Sequence, residues 1–207
     1  MALRSASGHV AGSLTLVSGM PGDFQGAIAA YTQAIELDPN HFKAYFNRGF
    51  AHDKLGQFDK AIFDYSKALL IEPNNAYAFY NRGISHDRRW VCRIAYVCLV
   101  RPSLAAHGFV FRGSSNFAEA ISNFSRAIEL LPHNADFYHN RGFCYRKQGN
   151  FVAAINDYTR ALVTDPRHFK AVYNRAFSYD KVGWYLSVVW RQVCSRAHAG
   201  IPPGWQV

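Results

Sequence analysis

Four asparagines, Asn47, Asn81, Asn140 and Asn174, combine a useful side chain with regular spacing. A carboxamide carries two donors and an acceptor, so it can pair with a peptide bond whatever side chain that peptide bears. Asn47 and Asn81 are 34 residues apart, as are Asn140 and Asn174, while 59 separate Asn81 from Asn140. Each is followed by an arginine (Arg48, Arg82, Arg141, Arg175). Those arginines could meet an acidic partner, or pack their stems between helices and leave the charge in water. Reactive chemistry is missing from the pattern. There is no glycine-rich phosphate loop, nucleophile elbow or carboxylate pair with a matching cleft signal, so no catalytic residue and no enzyme activity is expected.

The elements that carry the asparagines follow the same ruler. Pro39 and Pro73 are 34 apart, Pro132 and Pro166 are 34 apart, and the gap from Pro73 to Pro132 is again 59. One supersecondary unit is repeated, with about 25 foreign residues pushed into one copy, and a period of this length means a solenoid whose units bury their apolar faces against neighbours. Each half of a unit has helical periodicity. Phe58, Ala61, Ile62, Tyr65, Ala68 and Leu69 recur at steps of three and four. Gly56 and Gly149 stand where one helix must stop, and the prolines close each unit. The pattern predicts eight helices over roughly 23–37, 42–55, 58–71, 76–89, 116–131, 135–148, 151–164 and 169–182, and no sheet.

These residues resemble the tetratricopeptide repeat. Tyr45, Gly49, Ala61, Tyr65, Ala68 and Pro73 match its pattern of aromatic, small and proline positions. So do Tyr138, Gly142, Tyr145, Ala154, Tyr158, Ala161 and Pro166, and the likeness covers about two thirds of the chain. Arginine replaces the leucine that the family favours before glycine. The resemblance implies an all-α, right-handed solenoid of antiparallel helix pairs whose front helices line a concave groove. A protein or extended peptide is then the implied partner. Phe46, Tyr80, His139, Tyr173, Phe50 and Phe143 are the implied peptide-facing residues, with Asn47, Asn81, Asn140 and Asn174 contacting peptide backbone. The open alternative is that the asparagines bond within the repeat. Some family members clamp a chaperone's C-terminal carboxylate with lysine and asparagine where this chain has Phe46 and Phe50, so that partner is not expected.

Composition narrows the classes further. The net charge of +9 invites a nucleic-acid partner. Yet residues 1–21, 90–114 and 184–207 hold six arginines and no acidic residue, so most of the excess lies outside the repeats. A basic stripe on a folded face, which a polyanion would need, is not expected. Cys92, Cys98, Cys144 and Cys194 have no metal-ligand spacing, and the histidines recur with the repeat, so no metal and no cofactor is expected. Asn123-Phe124-Ser125 is a glycosylation triplet inside a helical stretch and is read as chance. No apolar run reaches the ~18 residues of a membrane span, and the cysteines read as free thiols of a reducing compartment, with the cytoplasm, or the nucleus, as the expected location. Arg4, several serines and the apolar stretch at 14–17 faintly resemble a targeting peptide.

The expected organisation is a leader (1–21), a half-repeat (22–41), repeats at 42–75, 76–134 with the insert 90–114, and 135–168, a half-repeat (169–183) and a non-repeat tail (184–207). All three intrusions enter at the turn between the two helices of a unit, which suggests alternatively joined coding segments and a longer relative. The insert is expected to leave its repeat closed, because lengthening the turn costs only roughly 2 kcal/mol. Phe79 and Gly83 should then still pack near Ala120 and Phe124, with helix continuing past Arg88 and stopping before Pro102. The expected function is a protein-interaction scaffold. The alternatives are a truncated form with little activity of its own, or a basic nucleic-acid-associated adaptor.

Overall fold

The computed structural model describes residues 22–100 and 117–183, with backbone alone over 90–100. The leader, the tail and most of the insert lie outside the described residues. Eight helices are present: α1 (Phe24–Leu37), α2 (Phe42–Lys54), α3 (Phe58–Ile71), α4 (Ala76–Val100), α5 (Ala118–Leu130), α6 (Ala135–Lys147), α7 (Phe151–Thr164) and α8 over 169–183. There is no strand among the described residues. The chain forms two units, Met1–Asn74 with α1–α3 and Asn75–Val207 with α4–α8.

Local chemistry fixes the helix ends. Asp23 Oδ1 accepts from the Gly26 amide at 2.8 Å to start α1, and Asn150 Oδ1 accepts from the Ala153 amide at 3.1 Å to start α7. Histidine does the same work at two starts: His41 Nδ1 accepts from Ala44 at 3.2 Å and His168 Nδ1 from Ala171 at 3.1 Å. An acceptor here satisfies an amide that has no partner inside the helix. α2 ends on Gly56 at φ 73° and α6 on Gly149 at φ 80°, a left-handed conformation that costs glycine little. The Gln57 amide then reaches His52 O at 2.9 Å and the Gly56 amide Asp53 O at 3.0 Å, closing the carbonyl end of the helix. α4 is described from Ala76 to Val100, so helix continues past Arg88 into the insert, and whether it stops before Pro102 lies outside the described residues.

Within each unit consecutive helices pack as pairs, on alanines that let two backbones approach. Ala61, Ala68, Ala120, Ala127, Ala154 and Ala161 are all fully buried, and Tyr65, Phe124 and Tyr158 fill the space between them. The insert leaves its repeat closed: Gly83 of α4 lies against the Phe124 ring of α5, and Phe117, Ala120 and Phe124 form one cluster with Tyr80 and Ile84. Phe79 differs from expectation. It packs one turn further along, beside Ala127 and Phe137. The helices are antiparallel, so a residue one turn earlier on α4 meets a residue later on α5.

Arg48, Arg82 and Arg141 are placed differently from their sequence-based expectation, in which the charge stays in water. Arg48 turns inward and clasps Asp64 of α3, with Nε at 2.8 Å from Oδ2 and Nη2 at 2.7 Å from Oδ1. Arg141 clasps Asp157 of α7 at the same two distances. The third nitrogen reaches back one repeat: Arg48 Nη1 donates to Thr32 Oγ1 of α1 at 3.1 Å, and Arg141 Nη1 to Ser125 Oγ of α5 at 3.0 Å. A rigid fork of donors suits this geometry in a way an ammonium would not. At the repeat that carries the insert, Arg82 Nε donates instead to Asn123 Oδ1 at 2.7 Å.

A Cβ at Gly83 would sit 2.9 Å from the Phe124 ring. Gly83→Ala is therefore expected to cost about 1–2 kcal/mol in urea denaturation, from overpacking. An unpacked α4 would respond in the opposite sense, gaining up to about 1 kcal/mol from helix propensity.

Candidate functional site

The front-helix face of α4, α6 and α8 is the richest surface in unit Asn75–Val207. Side chains three and four apart share one face of a helix, so Asp136, His139, Asn140, Phe143, Arg146 and Lys147 form a stripe along α6. Between that stripe and α4 lies a cleft of about 340 Å³. Tyr80, Ile84, Phe124 and Phe143 supply its apolar wall, and Asp87, Arg88, Asp136, His139, Asn140 and Lys170 its polar lining.

A chain of hydrogen bonds crosses the three helices on this face. Asn174 Nδ2 lies 3.1 Å from His139 Nε2, His139 Nδ1 lies 3.3 Å from Asn140 Oδ1, and Asn140 Nδ2 donates to the Tyr80 hydroxyl at 2.8 Å. A neutral imidazole with its proton on Nδ1 satisfies both contacts, donating to Asn140 and accepting from Asn174. Burial supports that state. His139 is 7% exposed, packed 4.9 Å from the His168 ring and 5.8 Å from Tyr158. Desolvation and then the neighbouring His168 push its pKa down to about 4, despite the opposing influence of Asn140 and Asp136. Burial likewise pushes the Tyr80 hydroxyl up to about 12.

The ten expected peptide-facing residues thus fall into distinct groups. Asn140 and Asn174 spend amide groups inside the protein, whereas the side chains of Asn47 and Asn81 make no hydrogen bond to another described residue and both residues remain partly exposed. Tyr80, His139, Asn140 and Phe143 converge on the cleft. Tyr173 is 63% exposed on α8. In unit Met1–Asn74, Phe46 is partly buried, stacked on Phe42 and edge-on to Tyr65 at 5.6 Å each, while Phe50 is exposed beneath the Lys54 ammonium.

Two features of the site escape a reading of periodicity. Asp87 Oδ1 is sealed from solvent without a hydrogen bond, and burial raises the pKa of that carboxyl against the pull of Lys147 and Arg88. Arg146 lies between two phenyl rings, its guanidinium 4.8 Å from Phe143 and 5.0 Å from Phe177. The available signal was that aspartate gives way to arginine at this one repeat position, among Asp53, Asp87, Arg146 and Asp180. Asn123 of the glycosylation triplet is 7% exposed and holds both Arg82 and the Glu119 carbonyl, a structural role. Among the described residues no group of three potential metal ligands occurs and no helix is long and apolar enough to cross a membrane.

Comparison with known proteins gives the class. A family model described as tetratricopeptide repeat matches residues 42–75 and 135–168, and one described as TPR repeat matches 21–56 and 108–149. The chain belongs to the tetratricopeptide repeat family. No curated protein matches the sequence. Among solved structures it is similar to MamA, at 23% identity and a TM-score of 0.60 over 86% of this chain and 92% of that one. It is also similar to the first TPR of Spaghetti (RPAP3) bound to an HSP90 peptide, at 21% identity and a TM-score of 0.55 over 69% and 93%. The second TPR domain of human RPAP3, in complex with an HSP70 peptide, is similar at 18% identity and a TM-score of 0.52 over 65% and 92%. These likenesses carry the fold.

The neutral His139 makes stability depend on pH in a defined direction. Its folded pKa lies below the ordinary 6.5, so the unfolded chain binds a proton that the folded chain excludes. The contribution is complete above pH 6.5 and is lost as pH falls toward about 4. The test is the difference in urea midpoint between the wild-type protein and His139→Asn at pH 7.5 and pH 5. The wild-type advantage is expected to shrink at pH 5. An advantage that is unchanged or larger would mean a protonated imidazole in the fold.

Proposed function

We propose that this chain is a protein-interaction scaffold that receives an extended peptide segment of a partner protein across the front helices of its repeats. The cleft lined by Tyr80, His139, Asn140 and Phe143 carries this reading. Its volume suits one or two side chains, and aromatic walls with a few fixed polar groups suit ligand recognition. The peptides in the RPAP3 structures support the reading by showing that similar folds hold short segments. This chain would hold its segment with different groups, because the family resemblance puts Phe46 and Phe50 where some members carry a lysine and asparagine clamp.

The asparagines divide the labour. Asn81 keeps its amide for a peptide bond, while Asn140 orients His139 and Tyr80. Selection of a random peptide library on the purified full chain supplies a ligand for the test. Asn81→Ala should weaken that peptide about tenfold, the effect of roughly 1.4 kcal/mol, with an unchanged melting temperature. Asn140→Ala should lower the melting temperature as well, since a buried network loses about 1 kcal/mol per bond removed. Recovery of no binding peptide would contradict the proposal. So would Asn81→Ala lowering stability and leaving affinity untouched.

A further inference from the structure

Where the groove reaches the C-terminal ends of α6 and α8, cations collect on two aromatic rings. Phe143 and Phe177 occupy equivalent positions one repeat apart, and the Arg146 guanidinium lies between them. Lys147 Nζ sits 5.3 Å over Phe143 and Lys181 Nζ 5.2 Å over Phe177. The acidic neighbours are Asp180, 3.4 Å from Lys181, and Asp87 of α4, whose carboxyl feels Lys147. Arg146 itself makes no ion pair with a described residue. Its Nε and the Tyr158 hydroxyl are both sealed from solvent without a hydrogen bond of good geometry, and the two side chains lie close enough for Arg146 to oppose the rise that burial causes in the Tyr158 pKa.

We propose that Arg146 is the anchor for an acidic side chain, Asp or Glu, of the extended peptide that occupies this groove. A guanidinium packed over two rings keeps its edge for hydrogen bonding, and with Nε sealed the remaining donors are the terminal nitrogens. A carboxylate matches that end-on pair with two parallel bonds. The rings also hold the long side chain in one orientation, so less rotamer freedom is lost on binding. Charge agrees with geometry: Arg146, Lys147 and Lys181 outnumber Asp180 and the buried Asp87 on this patch. The same face offers the rest of the peptide the cleft at Tyr80 and Phe143. The inference rests on the peptide-binding reading above and adds the chemistry of one ligand position.

The test uses the full chain, a random peptide library and its strongest binder. That binder should carry Asp or Glu at one fixed position. Changing it to the matching amide should weaken binding to the wild-type chain about tenfold, by fluorescence anisotropy. In Arg146→Met the acidic and amide peptides should bind alike, with the circular dichroism melt confirming the fold. If Arg146→Met does not fold, Phe177→Leu removes one ring and keeps the charge, and should shrink the acidic preference. A binder with no acidic position, or an acidic preference that survives in these variants, would overturn the proposal while leaving peptide binding intact. Recovery of no binder at all would overturn peptide binding and this proposal with it.

Discussion

An arginine that reaches two back helices at once is the constraint on which the repeats depend. Arg48 and Arg141 sit on front helices, yet each directs its donors to the carboxylate 16 residues later and the hydroxyl 16 residues earlier. One guanidinium thus fixes the spacing of its own helix pair and ties that pair to the one before. Asp64 and Asp157 are nearly sealed from solvent, and hydrogen bonding to them raises the pKa of Arg48 and Arg141. A buried ion pair is not a large net source of stability, because desolvation cancels much of its attraction. Its value is positional: a bidentate contact tolerates little sliding, whereas an alanine–aromatic seam alone would permit it.

The groove inherits its geometry from that register. With α4, α6 and α8 held by their back-helix contacts, Tyr80, Asn140, His139 and Asn174 fall into a single line of hydrogen bonds. Each bond strengthens its neighbours in a low-dielectric setting, so the line stiffens the floor on which a peptide would lie. On the same face Arg146 lies beside Phe143 and Phe177, with Lys147 over the first ring and Lys181 over the second.

Helix positions were legible in the sequence because proline, glycine and a 3.6-residue apolar stripe each act locally. Seven helices fall within two residues of expectation, and α4 is longer because helix continues past Arg88 into the insert. Contacts made across a turn were harder to see. Arg48 with Asp64 and Arg141 with Asp157 share a spacing of 16, which no helical periodicity reports. Only comparing polar positions between repeats would have shown it. The asparagines misled in another way. Periodicity treats them as equivalent, but His139 stands where other repeats carry an aromatic carbocycle, and its two ring nitrogens draw Asn140 and Asn174 into the protein. Phe79 failed by one turn, since alignment with a repeat position does not specify antiparallel register.

Arg82 shows how far the arrangement can vary. Its Nε donates to the neutral Asn123 at the repeat that carries the insert, and burial lowers its pKa where a carboxylate raises those of Arg48 and Arg141. The intact pair at Arg141 is therefore the place to measure the coupling. A double-mutant cycle in urea denaturation on Arg141→Met and Asp157→Ala isolates that interaction, and a parallel cycle with Ser125→Ala isolates the link to the preceding repeat. Asp157→Ala alone should cost about 3 kcal/mol, with the double variant little worse, since it leaves no buried charge uncompensated. The Ser125 cycle should show about 1 kcal/mol of coupling between residues of different repeats. Additive losses in both cycles would mean that the arginine neither sets the pair nor joins the repeats.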